Sequence, residues 1–313
     1  MRTLTLIIGT LLVAVVLAAA GVRLHREWTA SAASVSARGG STTTRRAIVG
    51  TTNTPATSTR VRVPATTTST GVTRRPSAAL AAAIPSTAPD LTVPILMYHY
   101  VDTSPPPVGP YAAGLTVHTR DFEAEMALLQ HGGYHTITFD QLWEAMAGRR
   151  RLPPKPVLLT FDDGGRDDYT VAFPILKRHG LVATFFVITN AIGKNPQSMT
   201  WPQLREMQAA GMVIGSHTKG HPDLRTVSPA RLWDELAGSR AVIATQLGVA
   251  PDVLSYPAGK FSAKIVQLAQ KAGYRMAVTT RWGRTIRAKS MLELPRMRVL
   301  SHMSLLSFEL ELR

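Results

Sequence analysis

Alternating strand and helix patterns run through residues 91–313 and constrain the fold more than any other feature. Short apolar runs typical of buried strands are followed by segments of helical periodicity, most of which end at glycine. The predicted strands are Pro94–Tyr100, Val157–Phe161, Ala183–Ile188, Met212–Gly215, Val253–Tyr256 and Met276–Thr279. The predicted helices are Arg120–Gln130, Tyr169–His179, Trp201–Ala210, Pro229–Leu247 and Ala263–Ala272. Repeated β–α units predict an α/β domain with a parallel sheet, and roughly six or seven of them can close into a barrel.

Two regions precede this domain and predict where it works. Leu4–Val22 is an apolar run of 19 residues broken only by glycine and threonine, close to the roughly 20 residues that span a membrane. We expect residues 1–28 to be a signal anchor in the cell membrane, with the domain outside. Ala18-Ala19-Ala20 offers the alternative of signal-peptide cleavage, which would release a secreted protein. Residues 29–90 contain 15 threonines and no aromatic residue, which predicts a disordered linker.

Composition excludes several classes of function. Because the chain has no cysteine, disulfides, thiolate-bound zinc and cysteine nucleophiles are excluded. Basic residues exceed acidic ones by 35 to 20, which first suggests a nucleic-acid partner. However, residues 29–90 hold seven arginines and a single acid, Asp90, and the predicted domain has no basic stripe interleaved with aromatic residues. We therefore expect no nucleic-acid partner.

Two adjacent carboxylates, Asp162 and Asp163, directly follow the predicted strand Val157–Phe161. Like charges this close raise the pKa of one group, and a divalent cation relieves the repulsion. One carboxylate could then bind a metal while its neighbour acts as a base. The alternative is an acidic turn that caps the next helix. An EF-hand loop is excluded because its twelfth position is Phe173 rather than glutamate.

Two histidines, His217 and His221, follow the short strand Met212–Gly215. Histidines four residues apart can point at one ion if a helical turn begins there. Together with Asp163 they would form a three-ligand site that leaves positions open for water and substrate. A catalytic metal needs such open positions.

The motifs of this domain resemble those of the NodB-homology polysaccharide deacetylases, the fourth carbohydrate esterase family. The resemblance covers roughly Pro94 to Val299. It is carried by T-F-D-D-G at 160–164, A-F-P-I-L at 172–176, A-T-F-F-V at 183–187, H-T-x-x-H at 217–221 and S-Y-P-A-G at 255–259. It implies a distorted (β/α) barrel of about seven parallel strands, here preceded by an apolar helix and a linker.

The same resemblance implies roles for individual residues. Asp162 would be the catalytic base, and Asp163, His217 and His221 would bind a divalent cation. Zinc is the expected metal, with cobalt, nickel or iron as alternatives. In the circularly permuted subgroup, which is similar to biofilm-polysaccharide deacetylases, the general acid lies on the first strand, so His99 is the predicted acid.

Further residues have alternatives at this point. His99 could instead be a hydrogen-bonded core histidine, and His302 is the second candidate for the acid. Arg296 is predicted to orient Asp162, because the third motif lacks the arginine that many family members have there.

The predicted substrate side of the site includes Tyr256, Pro257 and Ala258, with the backbone N–H of Ala258 facing the oxyanion. Ala258 and Gly165 stand where the family usually has aromatic residues, which predicts an open groove. Trp282 is predicted either to stack on a sugar or to be a plain core residue.

The implied activity is metal-dependent hydrolysis of N-acetyl groups on amino sugars of an extracellular or cell-wall polysaccharide. Peptidoglycan, poly-N-acetylglucosamine and chitin-like chains are all candidate substrates, and we expect the protein to act as a monomer. A non-catalytic glycan-binding module on the same barrel is the alternative. A base beside a metal site argues against that alternative, since binding alone needs no base.

Overall fold

In the computed structural model, which describes residues 83–102 and 112–313, parallel strands alternate with helices. The strands are β1 Leu91–Thr92, β2 Ile95–Tyr98, β3 Tyr100–Val101, β4 Thr116–Val117, β5 His135–Thr136, β6 Pro156–Phe161, β7 Thr184–Val187, β8 Val213–Ser216, β9 Val253–Ser255, β10 Met276–Val278, β11 Thr285–Ile286 and β12 Met297–Arg298. The α-helices are α1 Ala112–Leu115, α2 Thr119–His131, α3 Phe139–Met146, α4 Phe173–Arg178, α5 Trp201–Ala209, α6 Pro229–Trp233, α7 Ser239–Leu247, α8 Ala263–Lys271 and α9 Leu305–Leu312. π-Helical turns at Asp168–Ala172 and Asp234–Gly238 lead into α4 and α7.

Seven strands form a curved parallel sheet in the order β10-β9-β8-β7-β6-β2-β12, and β5 adds to β6 beside this path. The last strand of the chain, β12, therefore lies next to the first long strand, β2. Leu294, just before β12, bridges to Val278 at the other edge of the sheet. The prediction of an α/β fold with about seven parallel strands is confirmed.

Both faces of the sheet are covered, and its strands are therefore continuous apolar runs. On β6, Leu159 and Phe161 face one hydrophobic cluster, which also contains Phe122 of α2 and Leu176 of α4. Leu158 points to the opposite face, where it belongs to a second cluster that draws residues from β2, β7, β9 and β10.

Side-chain caps start several helices, including the predicted α5 and α6 and also α3, which the sequence patterns did not predict. Thr138 and Thr200 form capping boxes with the glutamines three residues later, and Ser228 accepts a hydrogen bond from the Arg231 N–H. The helix predicted for 229–247 begins at that cap but is divided by the π-helical turn Asp234–Gly238.

The end of the segment predicted as a linker packs on the folded domain. Ile84 and Ala88 contact the second hydrophobic cluster, and Asp90 forms an ion pair of 3.0 Å with Arg287. Ordered structure therefore begins before the predicted boundary at residue 90. The rest of that segment and the predicted anchor Leu4–Val22 lie outside the described residues. Within the described ranges, no helix has the length and hydropathy to span a membrane.

Candidate active site

The predicted catalytic side chains meet at the carboxyl ends of the parallel strands. His99 follows β2, Asp162 and Asp163 follow β6, and His217 follows β8. Strand ends of a parallel sheet meet at one edge, so residues far apart in sequence become neighbours there.

Asp162 lies inside the protein against Arg296 in a two-pronged ion pair. The Arg296 Nη1 and Nη2 atoms donate to Oδ1 and Oδ2 of Asp162 at 2.8 and 2.6 Å, and both side chains are nearly inaccessible to solvent. Burial alone would raise the pKa of Asp162, but the charge and hydrogen bonds of Arg296, together with the charges of His217 and His99, outweigh burial and hold the pKa well below its usual value. Asp162 is therefore ionised and able to accept a proton.

All five N–H donors of Arg296 have acceptors. Besides the two bonds to Asp162, Arg296 donates to the Thr279 carbonyl at 2.9 Å and to the hydroxyls of Thr160 and Ser255 at 3.1 Å each. The Ser255 hydroxyl also donates to Asp162 at 3.1 Å. This network fixes both the guanidinium and the carboxylate in one orientation.

Asp163, His217 and His221 form a separate cluster beside Asp162. One potential ligand atom from each residue lies within 4.8 Å of the others, and Asp163 Oδ1 is 3.5 Å from His217 Nε2 and 3.9 Å from His221 Nε2. Asp163 and His221 both adopt left-handed backbone conformations, with φ of 77° and 56°. Such strain in non-glycine residues is common at functional sites.

The chemistry of this cluster fits a divalent cation. His217 Nδ1 lies 2.8 Å from the Ser255 carbonyl, so this nitrogen carries the proton and Nε2 is left as a ligand atom facing Asp163. Although burial opposes it, hydrogen bonding to His217 and nearby positive charge lower the pKa of Asp163 to about 2. Burial, assisted by the His217 charge, lowers the pKa of His221 to about 4. At neutral pH both groups are therefore in the forms that bind a metal.

His217 itself has a pKa above its ordinary value. Burial lowers this pKa, but the negative charges of Asp162 and Asp163 outweigh burial. A cation would replace the proton that these carboxylates attract.

Glu235 holds the loop between the two histidines. Its carboxylate Oε2 accepts hydrogen bonds from the Lys219 and Gly220 N–H groups at 2.9 and 2.8 Å. The Glu235 side chain is buried, and Thr218 in the same loop has φ of 66°. The carboxylate thus stabilises an otherwise strained loop conformation.

The structure brings His99 to the site and leaves His302 elsewhere. His99 is half-buried and experiences the negative charges of both Asp162 and Asp163, and its Nδ1 has no hydrogen-bond partner among the described residues. Burial lowers the pKa of His99, which makes its protonated form a stronger acid. His302 is exposed and lines a surface cavity with His118.

The residues predicted for the substrate side lie in different surroundings. The Tyr256 ring is fully buried and stacks on Phe261, and Pro257 is also buried, so neither side chain is open to a substrate. Ala258 is half-buried with φ of 52°. Trp282 is 72% exposed and its indole N–H donates to Glu311 on α9, so the core alternative for Trp282 is wrong.

Sequence analysis missed Ser255, Tyr100 and Glu235 as parts of the site. Ser255 contacts both Asp162 and His217, and the Tyr100 hydroxyl donates to Asp163 Oδ2 at 3.3 Å. The positions of Ser255 and Tyr100 at strand ends were a usable signal. Glu235 lies within a helical pattern and carried no such signal.

Comparison with known proteins agrees with this geometry. A family model described as polysaccharide deacetylase matches residues 149–277. YxkH of Bacillus subtilis (strain 168), a protein named for that family, is 35% identical over 212 residues, which cover 68% of this chain and 73% of YxkH. The chain belongs to the polysaccharide deacetylase family. The resemblance found from the motifs is thereby confirmed, while membership of the permuted subgroup stays a prediction.

Solved structures of deacetylases share the fold. The Streptococcus pyogenes deacetylase PplD, in complex with acetate, superposes with a TM-score of 0.66 at 30% identity, covering 72% of this chain and all of that one. IcaB from Ammonifex degensii gives a TM-score of 0.60 at 27% identity, with coverage of 71% and 97%.

The names of two further relatives state a substrate. The Escherichia coli (strain K12) poly-beta-1,6-N-acetyl-D-glucosamine N-deacetylase is 25% identical to this chain. The matched region covers 62% of this chain and 35% of the E. coli protein. The Bacillus subtilis peptidoglycan-N-acetylmuramic acid deacetylase PdaA is 31% identical, with coverage of 39% and 45%. The chain thus spans less than half the length of these two relatives.

Proposed function

We propose that this protein is a metal-dependent hydrolase that removes N-acetyl groups from amino sugars of a polysaccharide outside the cell. The observation that carries the proposal is an ionised, buried carboxylate, Asp162, directly beside the Asp163–His217–His221 cluster. A base next to a set of metal ligands suits the attack of water on an amide. The proposal includes anchoring through the N-terminal apolar segment and action as a monomer.

Each residue of the site has a separate role in the proposed reaction. Asp163, His217 and His221 would hold the cation, which when bound polarises the acetamide carbonyl and lowers the pKa of water. Asp162 takes a proton from the attacking water while the water oxygen bonds to the carbonyl carbon of the acetamide. The Ala258 N–H donates to the oxygen that gains negative charge.

Breakage of the C–N bond then requires an acid. His99 donates its proton to the leaving amine, so the products are acetate and a free amino sugar. Arg296 and Ser255 act through Asp162, because they keep its carboxylate ionised and correctly oriented.

Acetate release from chitin, poly-N-acetylglucosamine and peptidoglycan oligomers by the zinc-loaded protein tests the proposal. Replacing Asp163, His217 or His221 by alanine should abolish both stoichiometric metal and activity. Asp162→Asn should keep the metal and lower kcat by roughly 10²–10⁴-fold. His131→Ala, at an exposed position of α2, is the matched control and should change neither. Glycan binding without acetate release from any oligomer would support the binding-module alternative.

A further inference from the structure

Arg298 of β12 faces the same side of the sheet as Arg296, which stands just before that strand. Side chains alternate along a strand, and the intervening Met297 packs into the first hydrophobic cluster on the opposite face. Arg296 reaches Asp162 from its position just before β12. Arg298 lies two residues closer to the carboxyl ends of the strands, which corresponds to roughly 6–7 Å.

The strand register places Arg298 beside the reacting groups, because β12 pairs with β2 so that Arg298 lies opposite Met97, two residues before His99. Its positive charge acts on both His99 and Asp162. Solvent reaches the side chain, yet burial lowers its pKa. The exposed side chain therefore stands at the carboxyl ends of the strands, next to the candidate active site.

Arg298 differs from Arg296 in having no counter-ion. Among the described residues, Arg296 is paired with Asp162, whereas no carboxylate lies within 4.0 Å of Arg298. A neutral glycan that covers Arg298 would remove water from an unpaired guanidinium, which costs free energy. A carboxylate would restore the pairing with two parallel hydrogen bonds.

We propose that Arg298 binds a carboxylate of the substrate, at or next to the sugar whose N-acetyl group is removed. The preferred substrate class is then a glycan whose N-acetylated sugars carry an acidic substituent, such as the lactyl ether of muramic acid. This inference rests on the proposed function. A polyglucosamine chain would be the poorer substrate, because its free amines meet a like charge at Arg298.

A pair of substrates that are alike in size and differ in charge tests the inference. One is a peptide-free glycan oligomer of alternating N-acetylglucosamine and N-acetylmuramic acid with free lactyl carboxylates, and the other is its methyl ester. The wild-type protein should prefer the acid by about 10- to 100-fold in kcat/KM, the usual worth of a hydrogen bond to a charged group. Arg298→Gln should abolish this preference, and Arg298→Lys should keep part of it. Arg151→Gln removes an exposed charge ahead of the amino end of β6 and should leave the preference intact.

Other outcomes overturn the inference. If the wild type hydrolyses acid and ester equally, Arg298 does not recognise a carboxylate. If Arg298→Gln lowers both rates by the same factor, Arg298 acts on the reacting groups and not on substrate choice. Absence of acetate from acid, ester and a neutral chitin hexamer alike would refute the proposed function itself.

Discussion

Replacing Arg296 by methionine removes the charge that keeps Asp162 ionised inside the protein. The substitution keeps much of the side-chain volume but leaves a buried carboxylate without its two strongest hydrogen bonds. It also leaves the Thr279 carbonyl without its Arg296 donor. Removing one partner of a buried ion pair lowers the free energy of unfolding by about 3–5 kcal/mol.

That cost predicts a large change in thermal stability. For a domain of this size, 1 kcal/mol shifts Tm by roughly 2–4 °C, so Arg296→Met should lower Tm by roughly 6–20 °C. Arg313→Met is the control, because Arg313 forms an ion pair with Glu309 that is mostly exposed. Its loss should change Tm little, because solvent screens an exposed ion pair.

Activity should fall for a separate reason. Without Arg296, burial is the main influence on Asp162 and raises its pKa. Asp162 would then be protonated over more of the pH range, and the acid limb of the activity profile should move to higher pH. A depressed carboxylate pKa stabilises the fold above the unfolded-state value, and this contribution is lost on acidification. Wild-type stability should therefore fall more steeply than that of Arg296→Met below about pH 4.

Thermal unfolding of a double-mutant cycle checks the reasoning. Asp162→Asn combined with Arg296→Met removes both charges and should be more stable than Arg296→Met alone. If Arg296→Met lowers Tm no more than Arg313→Met does, the buried ion pair does not stabilise the fold as predicted. Additive effects of the two active-site substitutions would likewise show that Asp162 and Arg296 are not energetically coupled.

Three further predictions concern single residues, two of them at the site and one, Glu125, in α2. Glu235→Ala should weaken metal binding by about 10- to 100-fold in isothermal titration, with Glu235→Gln intermediate; unchanged affinity would leave Glu235 a purely structural role. His99→Ala should keep the metal and lose turnover, whereas His302→Ala should stay near wild type, and the reverse pattern would identify His302 as the acid. Burial raises the pKa of Glu125 to about 8, so the free energy of unfolding should decrease as pH rises from about 5 to 8. Glu125→Gln, which still accepts the Tyr98 hydrogen bond, should flatten that decrease in denaturant titrations, and an unchanged slope would contradict the assignment.

Local patterns were sufficient for six strands of the parallel sheet and for bringing Asp163, His217 and His221 to one edge of it, but they did not predict β12. Val157–Phe161 is apolar throughout, and the structure has β6 at Pro156–Phe161. Asp163, His217 and His221 each follow a predicted strand end, and the structure brings their ligand atoms within 4.8 Å. These results depend on side-chain periodicity and strand direction, both of which are visible in a short segment.

The orientation of Asp162 and the position of Arg298 depend on contacts that no local pattern contains. Arg296 and Asp162 are 134 residues apart, and they meet because β12 returns to pair with β2, which in turn pairs with β6. The same pairing brings Arg298 close to His99. Sequence alone determined which residue types stand at the strand ends, since that follows from local periodicity. Only the tertiary structure decided which of them face one another, because strand order in a sheet is set by packing between distant segments.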